Sequence, residues 1–273
     1  MTSSGDAPSG VRFSVREFAR TGRGNFRSEL ELADYADSPL DADTLREIRY
    51  LGQLEASTME QLRNLLVTAT HKDARVTAFL VTWAFEKFWM ADALDAVLEA
   101  NGRPRAKEED DGSRRKTLAE AGERRGPISR ALGALRQGTD VVAMHMAGGL
   151  VDEWVMRAAY EHLAASAHSA PLAGTVAIIL DTKARHERFF AEAANDGLTA
   201  SRRSIAMTRT SLGRTAWPIG AINRSADDRA FFEHRVFGGD AGAARIADIR
   251  RRVAGIHGMD DGVAAAVARR LAP

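Results

Sequence analysis

Four stretches of this chain repeat apolar residues at three- and four-residue spacing, and no stretch alternates as a half-buried strand would. That spacing lines one side of a helix, and a stripe so long needs other helices to cover it. Leu45, Ile48, Leu51, Leu54, Leu62, Leu65 and Leu66 predict a first helix from Thr44 to near Thr70. A second is predicted over 76–100, stopping at Asn101-Gly102, a C-terminal signal. The third runs from 138 to 167, and the fourth from 172 to 196, ending at Gly197. Beyond them lie an Arg-rich helical stretch at 201–215, a break at Trp217-Pro218, a short helix at 227–237 and a terminal pair at 241–254 and 260–271. The charged, Gly-punctuated segment 103–126 reads as a solvated crossover between the second and third helices. The expected fold is an all-α bundle over 44–200, preceded by a polar arm at 1–43 and followed by a helical extension at 201–273.

Composition removes several function classes. With no cysteine among 273 residues, there is no disulfide framework, thiolate metal site or cysteine nucleophile. Basic and acidic residues number 38 and 37, so no bulk charge draws the chain to nucleic acid or to an anionic membrane. No apolar run approaches the roughly 18 residues of a membrane span, and the first ten residues are polar, unlike a secretory leader. A soluble, cytoplasmic protein is expected. Glycine-rich nucleotide motifs and a Gly-x-Ser-x-Gly elbow are absent. The pairs Gly148-Gly149 and Arg202-Arg203 and the run Arg250-Arg251-Arg252 read as a close-packing site and as solvated faces, the arginines being able to dock an anionic substrate or carrier protein.

Lysine is rare here: it occurs only at 72, 87, 107, 116 and 183. Two of the five fall on or beside apolar stripes. Lys87 lies one turn from Trp83, with Met90 and Leu94 continuing the stripe; Lys183 follows Ile179 and Leu180, and His186 shares its face three residues on. Glu55 sits among Leu51, Leu54 and Leu62, and Glu153 lies between Leu150 and Met156 with Tyr160 two turns on. Each long helix therefore carries one ionisable residue near its middle. Glu86 is the competing inward residue if the second helix is rotated by one position.

The stretches 51–58 (LGQLEAST), 79–102, 143–164 and 179–198 resemble the ferritin-like superfamily, in particular its di-iron carboxylate branch, which includes acyl-carrier-protein desaturases. The resemblance covers 44–200 and implies a ferritin-like four-helix bundle with a crossover connection. In that family a Glu on each of two helices and a Glu-x-x-His on each of the other two hold two irons. Glu55 and Glu153 match the single carboxylates, and His186 matches the last histidine. Lys87 stands where the second helix should begin its Glu-x-x-His, Met90 where its histidine belongs, and Lys183 where the fourth helix should bring its glutamate.

Two lysines in place of two carboxylates leave Glu55 and Glu153 balanced without a metal, and an ammonium neither ligates nor tolerates a nearby divalent cation. No cofactor is expected, a single metal on Glu55, Glu153 and His186 being the alternative. The favoured reading is a metal-independent enzyme acting on a small or carrier-bound substrate by proton transfer, cyclisation or carbonyl chemistry. In it Lys87 and Lys183 serve as electrostatic or nucleophilic groups, Glu55 and Glu153 as their partners, His186 as proton shuttle and Tyr160 as a donor. Trp83, Met90 and Met156 would face the substrate, and the resemblance implies a homodimer. The competing reading is a non-catalytic scaffold or partner protein; an oxidoreductase with a residual metal is the third.

Overall fold

The structure, a computed structural model, describes residues 12–104 and 138–273, and among these every regular element is helical. Most of the predicted crossover, with Lys107 and Lys116, lies outside the described residues. A short α1 (Val15–Arg20) precedes α2 (Ala42–Ala56), α3 (Thr58–Leu66) and α4 (Ala74–Ala100). The chain resumes with α5 (Asp140–Ser166) and α6 (Ala170–Ala200), then α7 (Arg202–Leu212), α8 (Ala226–Phe237), α9 (Gly239–Ala254) and α10 (Asp261–Leu271). No described helix is long and apolar enough to cross a membrane.

Side-chain caps set where the long helices begin. Asp41 accepts from the backbone N–H groups of Asp43 and Thr44 to open α2, Asp73 accepts from Val76 to open α4, and Ser169 accepts from Leu172 to open α6, with Pro171 in its first turn. At the end of α4, Gly102 takes φ +67°, the left-handed conformation that a residue with a Cβ resists.

The predicted first helix is two. It breaks at Ser57, whose hydroxyl donates to the Leu54 carbonyl at 2.7 Å and so competes with the helical pattern there. The predicted fourth helix runs on past Gly197. A Cβ at that position would lie 2.6 Å from the Ala143 Cβ, so the glycine serves close helix packing and not termination. Gly149 does the same further along: a Cβ there would meet the Phe190 ring at 2.5 Å.

Two antiparallel pairs make the body. In the first, Leu40 N–H, just before α2, donates to Asn101 just after α4, while Glu55 near the other end of α2 meets Lys87. In the second, Ala143, Gly149 and Glu153 of α5 oppose Gly197, Phe190 and Lys183 of α6. A single contiguous apolar core runs from Phe13 to Leu271. The segment before α2 is docked on that core, with Phe13, Phe18, Phe26 and Tyr35 buried. Phe13 and Phe18 stack and edge onto Phe79 and Phe189. The C-terminal helices supply Phe232, Val236, Ile249, Val253, Val267 and Leu271 to the same core, so the extension is folded onto the body.

Candidate functional site

Glu55 of α2, Lys87 of α4, Glu153 of α5 and Lys183 of α6 converge in the middle of the core, where Lys87 is 2% exposed and Lys183 fully buried. Lys183 Nζ lies 2.8 Å from Glu153 Oε2 and 3.0 Å from Glu55 Oε1. Lys87 Nζ lies 2.9 Å from Glu55 Oε2. The Tyr160 hydroxyl donates to Glu55 Oε1 at 3.1 Å, and the Trp83 indole N–H donates to Glu153 Oε1 at 2.9 Å. Each ammonium also faces a ring, Lys87 over Trp83 at 5.0 Å and Lys183 over Tyr160 at 5.6 Å.

Both Glu86 and Lys87 point inward. They are neighbours about 100° apart on a helix whose buried arc is wide enough to take both. Glu86 is paired separately. His186 Nε2 lies 2.7 Å from its Oε2, the Arg23 backbone N–H donates to its Oε1 at 2.7 Å, and Arg185 forms an ion pair with the same oxygen. Arg185 also donates to the Thr21 carbonyl, so the N-terminal arm is tied directly to this carboxylate. His186 Nδ1 faces Glu153 Oε1 at 3.4 Å, joining the two parts of the cluster.

Three acids of the cluster are paired with three cations: Glu55, Glu86 and Glu153 with Lys87, Lys183 and Arg185. A fourth acid, Asp152, is buried beside them and accepts from Ile219 N–H at 2.6 Å. Burial pushes it up to about 6 against the pull of Lys87. Burial also opposes ionisation of Glu55 and Glu153, but Lys183 and Lys87 outweigh it and hold both below the usual carboxylate range, Glu153 well below. In the same way burial disfavours the Lys183 ammonium, but Glu153 and Glu55 hold it protonated above the ordinary lysine range. A protonated amine is not a nucleophile, so this arrangement keeps Lys183 a cation and not an attacking group. The Tyr160 hydroxyl is kept protonated by burial and by Glu55.

These residues do not suit two ferrous ions, nor one ion on Glu55, Glu153 and His186. The oxygens that would ligate are held by ammonium, phenol and indole donors; His186 Nε2 is held by Glu86, and its Nδ1 faces a Glu153 oxygen that already accepts from Trp83. Among the described residues no group of three or more His, Cys, Asp or Glu is arranged to hold a metal.

All nine residues singled out in the sequence are buried. Six of them, the four charged groups with His186 and Tyr160, form the cluster itself. Trp83 binds Glu153, and Met90 and Met156 are closed within the apolar core. Asp152 and Arg185, which sequence reasoning missed, adjoin Glu153 and lie two residues from Lys183. A buried acid next to a buried acid was the available signal for the first; nothing local marks Arg185. No family model, no curated protein and no solved structure matches this chain.

Proposed function

We propose that this chain is a ferritin-like four-helix bundle of di-iron oxidase descent in which an ionic core stands where the metals would be, and that it acts without a metal as a non-catalytic scaffold or binding partner. One observation carries the reading: the buried ammoniums and carboxylates at the centre satisfy each other. Charges placed in low dielectric survive only when paired, and these are paired without substrate or metal. A catalytic lysine would need a free electron pair or an open approach to a reacting atom. The surface clefts described for this protein are lined by other residues.

A metal-independent enzyme is the second reading, favoured by one feature. His186 Nδ1 is buried without a hydrogen-bond partner, leaving a ring nitrogen free for proton transfer between Glu153 and a ligand that would have to enter the core.

Reductive methylation of the native protein separates the two. The scaffold reading expects exposed Lys72 to be modified while Lys87 and Lys183 react only after unfolding. Modification of either buried lysine at the pace of Lys72 would show an open site and sink that reading. Stoichiometric iron or manganese in the purified protein would sink both.

A further inference from the structure

A cleft of about 360 Å³ opens on the surface where α5, α6 and the turn after α9 meet, at a volume typical of small-molecule sites. Its walls are unlike its rim. Trp154 contributes an indole, Leu150 and Ile256 add aliphatic surface, and Ala191 and Ala194 on α6 contribute only methyl groups. The result is an apolar slot with one aromatic wall. Around its mouth stand Asn195, Arg252 and His257, all exposed.

Charge at the mouth is positive. Arg252 Nε is tied to Asp248 Oδ2 at 2.7 Å, and Arg251 pairs with the same carboxylate. Two guanidiniums thus share one acid, and the single tether on Arg252 leaves its terminal nitrogens uncommitted to Asp248. The guanidinium lies 5.8 Å from the Trp154 ring centroid, so the cation and the aromatic wall are adjacent. The surrounding segment 201–273 has the same sign, with thirteen arginines against seven Asp and Glu. We propose that this cleft binds a small aromatic carboxylate, its ring in the slot against Trp154 and its carboxylate on Arg252, with Asn195 and His257 as further hydrogen-bonding groups.

A carboxylate fits better than a phosphate. One guanidinium matches a planar two-oxygen anion in a forked pair, whereas a dianion would call for more cations or a ring of backbone donors. The cleft's lining residues include no serine, threonine, lysine or carboxylate, and the inference is of binding and not of turnover. It does not rest on the reading of the buried core.

Titration calorimetry of the full chain with 1-naphthoate tests it. The expected result is saturable one-to-one binding, weakened by about tenfold or more by Arg252→Gln and by Ala191→Phe, which fills the slot. Neutral 1-naphthalenemethanol should bind about tenfold more weakly than the acid. Both substituted positions are exposed, and thermal melting would verify that the variants remain folded. No saturable binding, or binding unchanged by Ala191→Phe, overturns the site. Binding lost in Ala191→Phe but equal for acid and alcohol, or equal in Arg252→Gln, overturns the ligand class.

Discussion

Lys183 Nζ and Glu153 Oε2 lie 2.8 Å apart on two antiparallel helices, with neither side chain reaching solvent. Each group makes the other's charge tolerable: the carboxylate is held well below its ordinary range and the ammonium above it. The pair is shared further, since Glu55 bridges Lys183 and Lys87. Removing one member should therefore cost more than removing a matched pair.

Lys183→Met leaves Glu55 short of one cation and Glu153 without its partner. The expected loss is about 3–5 kcal/mol in urea unfolding, because an unmatched buried charge remains. Adding Glu153→Leu should recover part of it, giving a double-mutant cycle with a coupling of the order of 1–3 kcal/mol. Lys72→Met, at an exposed position, should change stability by less than about 0.5 kcal/mol. Strict additivity of the two core substitutions would contradict the pairing.

Acid should unfold the protein through Glu55 and Glu153. Both have folded values below the ordinary 4.5, so their contribution is complete above that pH and is lost as pH falls through the folded values. The urea midpoint should therefore fall progressively as pH drops below about 4.5, and the slope should shrink in Glu153→Leu/Lys183→Met. A slope as steep in the double variant would place the acid sensitivity elsewhere.

Glu47 should act in the opposite sense. Burial pushes it up to about 7 even though Arg235 Nε donates to its Oε2 at 2.8 Å, so the folded protein keeps a proton that the unfolded chain has lost above about 4.5. Its contribution is full below about pH 4.5 and gone above about pH 7. His162, 3.8 Å away and pushed down to about 4 by burial and Arg245, opposes that slope over part of the range. The comparison that isolates Glu47 is wild type against Glu47→Gln. The variant should gain on the wild type by up to about 3 kcal/mol between roughly pH 4.5 and pH 8. A constant difference across that interval would refute the assignment.

Two adjacent glycines on α5 should respond with opposite signs. Gly149→Ala drives a methyl group to 2.5 Å from the Phe190 ring and should cost about 1–3 kcal/mol. Gly148 has open space at its Cβ position, so Gly148→Ala should stabilise the helix by up to about 1 kcal/mol. Thermal melting of the two variants checks both, and equal shifts would mean that α5 is rotated from its described orientation.

Helical periodicity made the long helices legible, because it is written in residues only three or four apart. It also showed that Glu55, Lys87, Glu153 and Lys183 lie on or beside buried stripes. The break at Ser57 and the continuation through Gly197 were not legible. The first depends on a serine hydroxyl choosing a carbonyl, and the second on Ala143 lying across an opposing helix.

The sequence by itself determined that apolar helical faces would bury ionisable groups, since a stripe with that period has only one side to hide. Only the tertiary structure decided the partners: Glu55 with two lysines, and Glu86 with His186, Arg185 and the backbone of Arg23. Those contacts span up to 128 residues of sequence, from Glu55 to Lys183, and lie between segments whose rotation and register no local pattern fixes. Two neighbours such as Glu86 and Lys87 can therefore both face inward and still belong to different parts of one cluster.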